Sequence, residues 1–158
     1  MAFSTLRALI GGGGGGGNPY AIFGYGSTGS ISSLTNKVDS SGNVATDTTG
    51  VGSARNGLAA TGYGPDKAIF GFGSTGSYSS LTNKVDSSGN VATDTTGVGT
   101  ARGGLAAAGY GSDKAIFGYG WTGSISSLTN KVDSSGNVAT DTTGVGTARD
   151  GLAATGYG

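Results

Sequence analysis

Ala115-Ile-Phe-Gly-Tyr-Gly120, Ser127-Leu-Thr-Asn-Lys-Val-Asp133, Ser134-Ser-Gly-Asn137 and Val138-Ala-Thr-Asp-Thr-Thr143 follow one another three times in this chain, with Phe72 for the tyrosine in one copy. The first run is the most apolar and reads as a buried strand. The second alternates apolar and polar residues, as a strand with one buried face does, and offers Leu128 and Val132 to a core. Ser134–Asn137 reads as a hairpin turn in which Gly136 is free to take a positive φ. Val138–Thr143 reads as a polar outer edge strand. Upstream, Gly104–Tyr110 is a strand of small residues suited to a crowded inner position, and Gly111–Lys114 is a tight turn.

The repeated unit is 47 residues long. Units 18–64, 65–111 and 112–158 align without a gap, and the third matches each of the others at 41 of 47 positions. A period of this size signals a solenoid, a propeller or an array. Four short antiparallel strands in about 47 residues fit one propeller blade. Glycine makes up 35 of 158 residues without a collagen period, and only two prolines occur. A helical repeat is excluded, because Gly, Ser, Thr, Asn and Asp dominate and no 3.6-residue apolar period is sustained.

The order Thr-Ala-Arg-x-Gly-Leu-Ala-Ala, then Lys-Ala-Ile-Phe-Gly-Tyr-Gly, then Thr-Asn-Lys-Val-Asp-x-x-Gly-Asn resembles the kelch repeat. The resemblance covers residues 18–158. It departs from the kelch pattern in the glycine pair, here Gly24-Tyr25-Gly26 and its copies. Val38, Val85 and Val132 stand where the third strand has Tyr, and Val44, Val91 and Val138 where the fourth has Trp. It implies an all-β, kelch-like propeller of three four-stranded blades per chain. The glycine-rich units also look like repeats of phage virion proteins, which implies a virion or extracellular setting.

The array starts on a second strand, Ala21–Gly26, and ends on a first strand, Gly151–Gly158. Three blades are too few for a ring, which takes four to eight. The expected partner is therefore a second copy. Each chain would donate Gly151–Gly158, with Leu152 and Tyr157, to the other's first blade in a six-bladed homodimer. An open head-to-tail filament is the other assembly. Residues 1–17 form a separate segment: an apolar stripe of Phe3, Leu6, Leu9 and Ile10, then seven glycines as a tether for attachment to a larger assembly. The segment lacks the long apolar core of a signal peptide.

Nine cations balance nine acidic residues, which argues against a nucleic-acid partner. No membrane span is expected. The chain has no Cys and no His, so thiolate sites and a Ser-His-Asp triad are impossible. No enzyme, metal or cofactor is expected. Gly24-x-Gly26-x-x-Gly29 and its copies match a dinucleotide fingerprint but lack the helix that must follow, so they read as turn glycines. Asp39-Ser-Ser-Gly42-Asn43 lacks the alternating ligands of a calcium loop and reads as a turn. Asp47, Asp94 and Asp141 read as solvated single carboxylates. Arg55, Arg102 and Arg149 precede inner strands, where a structural role outweighs a ligand-binding one.

Differences between copies fall mainly in two loops of each blade that share a face: Ser27/Ser74/Trp121, Ile31/Tyr78/Ile125, Ser53/Thr100/Thr147 and Asn56/Gly103/Asp150. Either these loops drifted freely after duplication or the face recognises something. The recognition reading places Trp121 and Tyr78 as aromatic contacts for a surface glycan or protein, with Asn56, Asp150 and the three arginines at the rim.

Overall fold

The computed structural model describes residues 19–158, and everything below concerns those residues. The strands are β1 (Ala21–Gly24), β2 (Thr35–Val38), β3 (Ala59–Gly62), β4 (Ala68–Gly71), β5 (Thr82–Val85), β6 (Ala106–Tyr110), β7 (Lys114–Gly118) and β8 (Thr129–Val132). They form three antiparallel sheets, β1-β2, β3-β4-β5 and β6-β7-β8. No described residue is helical, as expected from the turn-rich composition. The three sheets do not close into a barrel or ring. The apolar N-terminal stripe Phe3, Leu6, Leu9 and Ile10 lies outside the described residues.

Register repeats from sheet to sheet. Phe23 pairs with Asn36, Phe70 with Asn83, and Phe117 with Asn130. The second strand ends where an aromatic residue takes a left-handed backbone: φ is 67° at Tyr25, 65° at Phe72 and 64° at Tyr119. Such a conformation costs a non-glycine residue about 1–3 kcal/mol and persists only when its surroundings impose it. Here each ring lies under an arginine, and two of the rings also pack edge-on against the phenylalanine of the next unit. The turn after each third strand forms as expected. Asp133 Oδ1 accepts the Ser135 and Asn137 amides, and the Gly136 amide bonds the Asp133 carbonyl at 2.9 Å.

The expected fourth strand is corrected by the structure. Val138–Thr143 meets β8 only through bridges Val132↔Val138 and Thr129↔Thr142. Between those bridges the outer segment has one residue more than β8, as in a bulge. The Asn130 side chain fills the interrupted ladder, donating to Ala139 O at 3.0 Å and Asp141 Oδ1 at 2.9 Å. Each complete unit is thus a three-stranded sheet with a bulged outer segment. Among the described residues the first sheet has two strands. Gly151–Gly158 is not a strand; its Gly151 amide bonds Gly104 O at 2.8 Å.

The core lies between successive sheets. Ile69, Phe72, Leu105, Ala115, Phe117 and Val132 are buried together, with Tyr63 beside them. Val132 is buried as anticipated, whereas Leu128 is only half-buried. Phe117 of one sheet presses on Gly71 of the preceding one, where an added Cβ would stand 2.7 Å from the ring.

Candidate functional site

Two constellations contain the residues singled out by the sequence. The first lies at the junctions between units. Arg102, fully buried, donates from Nε to Tyr119 O at 2.8 Å, from Nη1 to Thr100 O at 3.1 Å and from Nη2 to Asn130 Oδ1 at 2.6 Å. Its guanidinium stands 4.3 Å over the Phe72 ring and 3.7 Å from Asp141 Oδ1. Asp141 Oδ2 accepts the amide and the hydroxyl of Thr100. Arg55 repeats the arrangement with Asn83, Asp94, Ser53 and the Tyr25 ring. These two arginines are buried and structural, and they do not reach the loop face.

Asp94 and Asp141 are not the solvated carboxylates that the sequence suggested; each joins two units. Their burial pushes the carboxyl pKa up. Hydrogen bonds from Ser53 and Asn83, or from Thr100 and Asn130, together with the arginine, outweigh that and hold both below the ordinary 3.8. Hydrogen bonds from the turn lower Asp39, Asp86 and Asp133 as well. A depressed folded pKa means that the unfolded chain takes up protons first as pH falls. Stability is therefore expected to hold from neutrality to about pH 4 and to drop below it. Thermal melts at pH 7, 5 and 3 should show a clear fall only in the last; an unchanged melting temperature at pH 3 would contradict the paired carboxylates.

The second constellation is a cleft of about 540 Å³ on the loop face, lined by Asn56, Ser74, Tyr78, Gly103, Trp121 and Asp150 among others. Backbone pairing assembles it. The amides and carbonyls of Asn56 and Ser74 bond each other at 3.0 and 2.8 Å, and those of Gly103 and Trp121 at 3.1 and 2.8 Å. Bridges Ser74↔Tyr78 and Trp121↔Ile125 continue the two rows, and the Gly104 amide joins them by bonding Gly57 O at 2.9 Å. The fourth-to-first and second-to-third loops thus meet, as the meander reading required. Tyr78 and Trp121 remain 44% and 38% exposed.

The copy differences at this cleft are coupled. Gly103 stands where the other units carry Asn56 and Asp150. A Cβ there would lie 3.3 Å from the Tyr78 ring, so the missing side chain accommodates the aromatic residue that only this unit has. Asn56, Tyr78, Trp121 and Asp150 are therefore brought together, Arg55 and Arg102 are withdrawn, and exposed Arg149 lies over Tyr119 at 4.3 Å at the end of the array. Leu152 is half-buried and Tyr157 fully exposed. Among the described residues no group of three or more acidic side chains could hold a metal, and no helix is long and apolar enough to cross a membrane.

Sequence reasoning missed Asn83, Asn130, Lys37 and Lys84. The two lysines reach from one unit into the turn of the next, to Ser88 O and Ser135 O, both at 2.8 Å. Their invariance across copies was the available signal, but it does not reveal a partner 51 residues away. No family model and no curated protein matches the sequence.

Proposed function

We propose that this chain is a non-enzymatic structural and adhesive module whose loop face holds a neutral sugar ring between Tyr78 and Trp121. The observation that carries the reading is that Asn56, Ser74, Tyr78, Gly103, Trp121 and Asp150, all at copy-variable positions, line one cleft, with Gly103 and Tyr78 changed in the same unit. Two aromatic faces suit the C–H face of a pyranose, and the Asn56 amide with the Asp150 carboxylate suits its hydroxyl edge. The non-enzymatic reading is supported by the lack of His and Cys and by the engagement of Asp94 and Asp141 in junctions. The three sheets are read as kelch-like blades, and the resemblance to phage virion repeats suggests display on a particle surface.

Trp121 is the only tryptophan, so its fluorescence reports directly on the cleft. Titration with a panel of neutral oligosaccharides is expected to give a saturable change with at least one of them. Tyr78→Ala should weaken that binding about tenfold, the effect of losing one aromatic anchor. A flat response across the panel, or equal affinity of Tyr78→Ala, would remove the sugar-binding reading.

A further inference from the structure

The two internal junctions share an arginine–asparagine bond, an arginine–aspartate pair, a lysine–turn bond and a phenylalanine seat, and among the described residues each of these is left half-made at the two ends of the array. Arg55 and Arg102 each meet an Asn and an Asp of the next unit; among the described residues Arg149 meets neither. Conversely, Asn36 and Asp47 hold the positions of Asn83 and Asp94, and among the described residues no arginine reaches Asp47.

Both halves already have the geometry of a finished junction. Arg149 donates to Thr147 O at 3.1 Å and stands 4.3 Å over Tyr119, as Arg102 donates to Thr100 O at 3.1 Å and stands 4.3 Å over Phe72. Asn36 donates to Ala45 O at 3.1 Å and Asp47 Oδ1 at 2.8 Å, close to the 3.0 and 2.9 Å of Asn130.

The apolar contacts are split in the same way. Phe70 is 3% exposed where it seats on Gly24 and Tyr25, and Phe117 is fully buried on Gly71 and Phe72. Phe23 is 62% exposed. The matching seat, Gly118 beside Tyr119, is open: a Cβ on Gly118 would meet only Thr129 Cγ2, at 3.4 Å. Lys131 is likewise exposed, while Lys37 and Lys84 grip the turn of the following unit.

We infer that a second copy of this chain docks head to tail, its Asn36, Asp47 and Phe23 taking the places opposite Arg149, Thr147 and Gly118. Lys131 then reaches the Ser41–Asn43 turn of the second copy. Ala153–Gly156 lie antiparallel to β1 in the register that β6 keeps on β7, with Ala153 opposite Gly24. The interface is heterologous, so it either closes as a two-chain ring of six units or grows as an open chain. It does not rest on the sugar-binding reading.

The test is light scattering over a concentration series. The wild-type chain is expected to exceed the 15.1 kDa of one copy. Asp47→Arg and Arg149→Asp each alter one end face and no internal junction. Each alone should stay at 15.1 kDa with an unchanged circular dichroism spectrum, its association weakened about 100-fold by an unpaired buried charge. Mixed one to one, they should recover at least 2 × 15.1 = 30.2 kDa, because the first retains Arg149 and the second retains Asp47. Gly118→Ala, which fills the seat of Phe23, should fold and fail to associate. A dimer or a filament supports the interface. A wild-type monomer at every concentration, single variants that associate like wild type, or a mixture that stays monomeric would overturn it.

Discussion

Arg102→Ala is expected to destabilise the folded chain by about 3 kcal/mol, because it removes a buried guanidinium together with the three hydrogen bonds it donates. The side chain is fully buried. Its removal strands the Asn130 carbonyl oxygen, leaves Asp141 without its cation, and strips the cover from Phe72. The strained backbone at Phe72 then loses part of what imposes it. Burial also lowers the Arg102 pKa while the Asp141 charge raises it, and the first effect prevails. Arg149→Ala is the internal control. It occupies the same repeat position but is exposed, so at dilutions where the chain is a single copy its effect should stay within about 0.5 kcal/mol. Urea denaturation of both variants decides the matter: equal losses would mean that the junction contributes nothing specific.

Gly97→Ala is expected to cost about 3 kcal/mol or more, at the upper end of overpacking substitutions. The backbone after the outer segment crosses so close to the third strand that an added Cβ would overlap the Ser80 carbonyl. Backbone on both sides of that contact cannot rotate away as a side-chain tip does. The same crossing recurs at Gly50 over Ser33 and at Gly144 over Ser127. Gly76→Ala is the contrast: that loop glycine has φ near +109° but no heavy atom within 4 Å of its Cβ position. Only the backbone strain remains, worth about 1 kcal/mol. Thermal unfolding of the two variants should separate crowding from conformation; a mild Gly97→Ala would show that the crossing can open at little cost.

Much of the fold was legible because much of it is local. The Asp133 turn needs only residues within four positions of the aspartate, and the same four-residue logic repeats at Asp39 and Asp86. The second and third strands follow from apolar patterning. The fourth strand failed because its β propensity was overruled by the Asn130 amide. That amide is in turn held by an arginine 28 residues earlier, in another unit. The loop face was legible through the differences between copies. The arginines assigned to its rim were not, since no local pattern tells whether a guanidinium turns inward to a distant carboxylate.

From residue order alone follow the β character of the chain, the 47-residue boundaries and the turn conformations. The tertiary structure decides the environment of each copy. Phe23, Phe70 and Phe117 sit in the same local sequence yet are 62%, 3% and 0% exposed. Arg55 and Arg102 are buried while Arg149 is not. The physical reason is that a repeat of this size cannot bury its own apolar face or neutralise its own junction charges. It does so against the neighbouring unit, so nearly identical sequences acquire different burial, pairing and stability according to their place in the row.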